Sequence, residues 1–230
     1  MNKTSISVFL AGDSTVSNYP SKEAPRAGWG QVINRYFANN VIVKNYAISG
    51  RSSKSFIDEG ALEQILNKIQ PNDYLLIQFG HNDEKQYDSS RYTNPDTTYK
   101  SYLKQYIDGA REHNAIPVLV TSVARRDFDK NGKIVSTHGT YPQAMKDLGK
   151  EENVPVIDLS TISEAYFQSQ GLEKTKNIFL HLKQGDSPNY PDGTSDNTHF
   201  QENGANEVAK LIINELKKSN IGLKIYIAKS

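Results

Sequence analysis

Five short apolar runs punctuate the chain, at residues 6–11, 41–47, 74–79, 116–121 and 154–159. Each is six or seven residues long and nearly continuous rather than alternating. That is the pattern of a strand covered on both faces, whereas a strand with one wet face alternates apolar and polar. Four segments between them carry helical periodicity: residues 28–39, 55–69, 97–113 and 142–152. In the third, Tyr99, Tyr102, Leu103, Tyr106, Ile107 and Ala110 recur at three- and four-residue steps, the stripe of an amphipathic helix lying on a sheet. Strands alternating with such helices predict an α/β architecture, a doubly wound three-layer α/β/α domain around a five-stranded parallel sheet.

A last helix is expected over 202–218, with Val208, Ala209, Leu211, Ile212 and Leu216 on one stripe. Residues 122–141 and 184–197 are rich in Gly, Asp, Asn, Ser and Pro and read as long loops, which in compact domains are often functional. The tail, 223–227, fits either an extra edge strand or an ordered arm. With 230 residues, 37% hydrophobic, and no repeat or linker, the whole span 1–230 is expected to form a single domain.

Composition narrows function by exclusion. Lys and Arg number 27 against 26 Asp and Glu, a formal charge of +1, so no global field favours nucleic acid or an anionic membrane. The absence of cysteine removes disulfides, thiolate metal sites and a cysteine nucleophile. The N-terminal run 6–11 follows Lys3 as a leader's core might, but it is far shorter than the roughly 20 residues of a spanning helix, and a buried strand is expected instead. If Met1 is the native start the expected location is cytoplasmic, while a removed leader would leave it open.

In a doubly wound sheet, ligands bind beyond the carboxyl ends of the strands, so chemistry should follow each apolar run directly. After the first comes Gly12-Asp13-Ser14-Thr15, after the second Ser49-Gly50-Arg51-Ser52-Ser53, and after the third Gly80-His81-Asn82-Asp83. Before the last helix stands Asp196-Asn197-Thr198-His199-Phe200. Singly, each reads as an ordinary turn. Together they supply what acyl transfer needs: a hydroxyl nucleophile in Ser14, an imidazole base in His199, an orienting carboxylate in Asp196, and oxyanion donors in the N–H groups of Ser14 and Gly50 and the amide of Asn82. No cofactor is required. Asp186 and Asp192 are rival carboxylates, better read as turn formers beside Pro188 and Pro191.

These blocks resemble the SGNH, or GDSL-type, esterases, whose four namesake residues fall here at Ser14, Gly50, Asn82 and His199. Gly12 to Val16, Gly28-Trp29-Gly30-Gln31, the 45–53 segment, Gly80 to Asp83 and Asp196 to Phe200 are similar, more closely, to the rhamnogalacturonan acetylesterases. Thr15 departs from the Leu of the superfamily label and favours the carbohydrate esterase branch. The resemblance implies a flavodoxin-like sheet, a Ser, Asp, His order along the chain, and removal of acetyl groups from a galacturonate-containing saccharide. A lipase-like carboxylesterase or thioesterase, an acetylxylan-type esterase and a noncatalytic carbohydrate-binding domain are the alternatives.

Substrate contacts are expected from Arg51, His81 and Arg125, within a cationic set that also includes Lys54, Lys85, Arg91 and Arg126. Trp29 is expected to pack rather than to stack on sugar. Surface roles suffice for His113 and His138, and His181 is expected to pack. A metal site of His81, Asp83 and His199 is the chemical rival to the triad and lacks supporting helical spacing. Oligomeric state is left open.

Overall fold

In a computed structural model, residues 5–228 are described; Met1 and Lys3 lie outside them. Five parallel strands form the central sheet: β1 (Ile6–Gly12), β3 (Val41–Asn45), β4 (Tyr74–Gln78), β5 (Ile116–Val120) and β6 (Val156–Ile157), in the order β3-β1-β4-β5-β6. The chain leaves β1 toward one edge and returns to pair β4 on its other side, which places the topological switch at β1. Gly12, which ends β1, and Gly50 and Gly80, beyond the ends of β3 and β4, therefore lie at one edge of the sheet.

Both faces of the sheet are covered, which explains the unbroken apolar runs. Val8 and Leu10 face one core layer with Trp29 of α1 (Trp29–Val32), Phe167 of α6 (Leu159–Lys174) and Val208 and Ile212 of α7 (Glu202–Lys218). Phe9 and Ala11 face the other, with Phe56 of α2 (Ser53–Asp58), Ile65 of α3 (Ala61–Leu66), Leu103 and Tyr106 of α4 (Thr98–Glu112) and Met145 of α5 (Tyr141–Glu151). Alternate residues of a strand point to opposite faces, and burying each large apolar side chain stabilises by about 1.5–3 kcal/mol.

Several expected elements differ in extent. The helix expected over 28–39 is one α turn, α1, continued as a 3-10 turn over Ile33–Tyr36. The helix expected over 55–69 is two, because Gly60 takes a left-handed conformation (φ +77°) between α2 and α3. The last apolar run contributes only Val156–Ile157 as strand, since Asp158 already caps α6, accepting from the Thr161 N–H. Helix α6 itself was not expected, and its buried residues, Leu159, Ser160, Ser163 and Phe167, include two serines that blunt the apolar stripe. The tail is an arm, a 3-10 turn over Gly222–Tyr226 bridged to Phe37 through Ile227.

A second, antiparallel sheet is the main addition to the expected fold. It runs β2 (Arg26–Ala27), β8 (Thr194–Gln201), β7 (Phe179–Leu182), and so converts the end of the presumed 184–197 loop into strand. Its ladder is irregular: Phe179 faces Phe200 but Leu180 faces Asp196, so one step along β7 spans four along β8. Asn197, Thr198 and His199 form the resulting excursion, a bulge that aims side chains out of the sheet. The 122–141 loop is irregular, as expected, with one bridge between Phe128 and Ile134. Among the described residues no helix is long and apolar enough to cross a membrane.

Candidate active site

The turn after β1 is built on Asp13, which is fully buried. Its carboxylate accepts from the Thr15 N–H and hydroxyl, both at 2.8 Å, and its carbonyl from the N–H groups of Val16 and Ser17, both at 3.1 Å. Burial pushes the Asp13 carboxyl up, but His81 and these hydrogen bonds prevail and hold it below its ordinary range. Gln78 donates to the Thr15 hydroxyl at 2.7 Å and accepts from the Trp29 indole at 2.9 Å. Thr15 thus links the turn to β4 and α1, a job no Leu could do, and Trp29 packs as expected. The Ser14 carbonyl accepts from the Tyr19 hydroxyl at 2.7 Å.

Ser14 and His199 are 185 positions apart in sequence, yet His199 Nε2 lies 2.9 Å from Ser14 Oγ. His199 Nδ1 lies 2.7 Å from Asp196 Oδ2. The other carboxylate oxygen, Oδ1, accepts the N–H groups of Thr198 at 2.7 Å and His199 at 3.0 Å. Asp196 therefore folds its own bulge and orients the imidazole at once. Burial works to raise the Asp196 carboxyl, but the His199 ring and the two backbone donors outweigh it and hold the group far below its ordinary range. Of the rival carboxylates, Asp186 caps its own turn by accepting the Lys183 N–H at 2.8 Å, and Asp192 is exposed.

Opposite Ser14 stand Gly50 and Asn82, lining the same cleft of 290 Å³. Gly50 has φ +80°, a left-handed conformation that favours glycine, while a Cβ there would meet only an Arg91 nitrogen at 4.0 Å. Conformation, not crowding, requires it. Among the described residues, neither the Ser14 nor the Gly50 N–H donates to a backbone acceptor. One Asn82 amide hydrogen goes to the Arg51 carbonyl at 3.0 Å. Its Oδ1 accepts from Lys85 at 2.8 Å and Arg91 at 3.4 Å. Those cations only donate, so they fix which way the amide faces and leave its second N–H uncommitted.

The expected cationic substrate surface is therefore largely committed elsewhere. Arg51 turns away to Glu59 at 2.8 Å and does not line the cleft. Lys54 pairs with Asp58 at 2.5 Å, and Arg91 with Asp88 at 2.6 Å. Arg125 does line the cleft, yet it is paired with Glu84 and donates to Thr137 at 3.2 Å. Arg126 is nine-tenths buried and clamps the bulge: its N–H reaches the Asn197 carbonyl at 2.8 Å, and its guanidinium the Leu172 carbonyl at 2.7 Å. Charged groups in a half-buried edge find partners within the fold, and sequence order does not name them.

The histidines differ from expectation in two cases. His138 is buried, not a surface group, with Nε2 2.9 Å from the Val123 carbonyl and Nδ1 3.1 Å from Glu84. His181 is half-buried and polar in its contacts, 2.7 Å from Asn197 Oδ1 and 3.3 Å from the Ser195 hydroxyl. His113 ends α4 with its ring 2.8 Å from the Gly109 carbonyl. His81 lines the cleft but is buried, edge-on to His138 at 4.4 Å and 3.3 Å from Asp13. Burial depresses its pKa to about 4, against the opposing pull of Asp13. Asp83 faces Ser53 and Thr93 instead, and burial pushes it up to about 7 against those hydrogen bonds. His81, Asp83 and His199 thus turn to three different sets of partners, and no metal-ligand cluster occurs among the described residues.

Arg26 was missed by sequence reasoning. It lies on β2, beside β8, and lines the cleft with Ser14 and His199. Among the described residues, no Asp, Glu, aliphatic, Phe, Tyr or Trp side chain belongs to that lining. A larger cleft of 720 Å³, bordered by Arg126, His181, Lys183 and Asn197, is lined by none of Ser14, Asp196 and His199.

Known proteins share both fold and sequence. The chain is 50% identical to the rhamnogalacturonan acetylesterase RhgT of Bacillus subtilis (strain 168), over 99% of this chain and 96% of that protein. It is 44% identical to the probable rhamnogalacturonan acetylesterase YesY of the same strain, over 96% and 97%. The solved structure of YxiM from Bacillus subtilis superposes with a TM-score of 0.80 at 31% identity, covering 95% of this chain and 58% of that one. A catalytic mutant of Axe2, an acetylxylan esterase from Geobacillus stearothermophilus, shares the fold with a TM-score of 0.64 at 16% identity, over 94% and 96%. Residues 10–206 match the GDSL-like lipase/acylhydrolase family, and the chain is a hydrolase belonging to that family.

Proposed function

We propose that this protein is a serine esterase that removes O-acetyl groups from acidic pectic saccharides, through a Ser14-His199-Asp196 triad and an acetyl-enzyme intermediate. The observation that carries the reading is the unbroken line from Asp196 Oδ2 through the His199 ring to Ser14 Oγ, at 2.7 and 2.9 Å. Ser14 Oγ attacks the acetyl carbonyl while His199 Nε2 takes its proton. The tetrahedral oxyanion accepts from the N–H groups of Ser14 and Gly50 and the uncommitted Asn82 N–H. As the C–O bond to the sugar breaks, His199 returns the proton to the leaving oxygen. Water then attacks the acetyl-enzyme, again giving up a proton to His199, and acetate leaves as Ser14 regains its hydrogen. Asp196 stays ionised throughout and stabilises the imidazolium.

A cleft of only 290 Å³, with no aliphatic, Phe, Tyr or Trp side chain among its described lining residues, suits a short acyl group on a sugar better than a long acyl chain, which needs an extended apolar wall. The relatives RhgT and YesY, both named for rhamnogalacturonan deacetylation and aligned over nearly the full chain, support the pectic substrate. The test is acetate release from acetylated rhamnogalacturonan oligosaccharides, acetylated xylan oligosaccharides and nitrophenyl esters of increasing chain length, with Ser14→Ala as control. Release chiefly from the acidic oligosaccharides, abolished by Ser14→Ala, is the expected result. Preference for long acyl chains would retain the nucleophile and reject the saccharide, and turnover by Ser14→Ala would reject the nucleophile.

A further inference from the structure

Among the described residues the cleft holds three cations, and two of them already serve the protein: Lys85 orients Asn82, and Arg125 is paired with Glu84. Arg26 is different. Its Nε is buried without a hydrogen-bond partner. Among the described residues, the one carboxylate paired with it, Glu23, stands at 3.6 Å, longer than a hydrogen bond, and is 37% exposed. Such a contact contributes little in the presence of water.

Arg26 is nonetheless held firmly. Its backbone belongs to β2, paired with Gln201 of β8 two residues beyond His199. Its guanidinium lies over the Tyr19 ring, 4.4 Å from the centroid, and the Tyr19 hydroxyl is bonded to the Ser14 carbonyl at 2.7 Å. Tyr19 therefore ties Arg26 and the nucleophile into one frame. A stacked guanidinium keeps its in-plane N–H fork available, and that fork matches a carboxylate with two parallel hydrogen bonds.

We propose that Arg26 is the specificity-determining residue of this cleft, receiving the carboxylate of an acidic sugar at or adjacent to the acetylated one. This rests on the acidic-saccharide reading above and adds to it the residue that does the selecting. The sugar carboxylate takes up the unpartnered Nε–H and a neighbouring N–H, while Glu23 turns to solvent. Contact with a rigid cation away from the reacting carbonyl fixes the sugar relative to Ser14, so the acetyl group arrives in register for attack.

The experiment compares acetylated rhamnogalacturonan oligosaccharides with the same oligosaccharides methyl-esterified at the uronate, using wild type, Arg26→Gln and Arg26→Lys. The readout is the ratio of kcat/KM for the acidic over the esterified substrate. Wild type is expected to prefer the acid, and Arg26→Gln to lose about tenfold or more of that preference, chiefly through KM. Arg26→Lys, which keeps the charge but not the fork, should retain part of it. If wild type prefers the acid and both variants keep its ratio while losing rate on both substrates alike, Arg26 is merely structural and the proposal is overturned. If wild type shows no preference, the acidic-saccharide reading falls, and the role of Arg26 with it.

Discussion

Replacing Asp196 by Asn changes the chemistry of the triad while conserving its shape. In the native site Oδ1 accepts two backbone N–H groups and Oδ2 accepts the imidazole proton on Nδ1. An Asn side chain keeps the first pair of bonds only if its carbonyl occupies the Oδ1 position, which puts its NH₂ group where Oδ2 stood. That NH₂ donates, so His199 Nδ1 must accept, and the ring proton moves to Nε2. Nε2 then faces Ser14 Oγ, now 2.9 Å away, with a hydrogen instead of a lone pair and cannot take the serine proton. The expected loss in kcat is about 10⁴-fold, equivalent to about 5 kcal/mol, as for the same change in an orienting aspartate elsewhere. KM should change little, because Asp196 does not line the cleft. Steady-state hydrolysis of nitrophenyl acetate and of an acetylated oligosaccharide, with circular dichroism to verify the fold, measures this directly. A loss below tenfold, or one confined to KM, would refute the tautomer argument.

Two other expectations follow from the same geometry. Asn82→Ala should slow kcat by about 100-fold or more, since one oxyanion donor is typically worth roughly 3 kcal/mol, and a loss seen in KM alone would remove Asn82 from that role. His81 gives a pH signature in stability. Burial lowers its pKa in the folded protein to about 4 from 6.5, so between those values the unfolded chain binds a proton that the folded chain refuses. The stability associated with neutral His81 is thus fully present above pH 6.5 and is lost as pH falls toward 4, by about 3 kcal/mol in all. Urea denaturation of wild type and His81→Asn across pH 4–7 should show curves that converge or cross on acidification, and a difference independent of pH would contradict the assignment.

Much of the fold was legible because local sequence and global structure agree. A strand buried on both faces is apolar at nearly every position, so β1 and β4 announce themselves, and glycines at or beyond the strand ends mark where a left-handed or close-packed turn was needed. Helix α4 matched its 3.6-residue stripe to within a residue at each end, as expected of a segment with one wet face. That Ser14, Gly50 and Asn82 line one cleft follows the same logic, because a parallel doubly wound sheet delivers its strand-end loops to one edge, whereas Asp196 and His199 stand on the bulge of β8 in the second sheet.

What tertiary structure alone decided is where polar groups go. Strand β8 reads Thr-Ser-Asp-Asn-Thr-His-Phe-Gln, with one buried apolar residue and little strand propensity, so only pairing with β7 and β2 makes it a strand. The cations followed sequence only in part: Lys54 and Arg91 pair with carboxylates three or four positions away, but Arg125 found a distant carboxylate, Arg126 found carbonyls, and Arg26, which the sequence did not single out, reached the cleft with its Nε unpartnered. An apolar side chain is satisfied by any dry neighbour of suitable size, so its placement follows from pattern. A buried polar atom needs a particular partner at about 3 Å and in the right direction, and chain segments distant in sequence supply that partner only once the fold is complete.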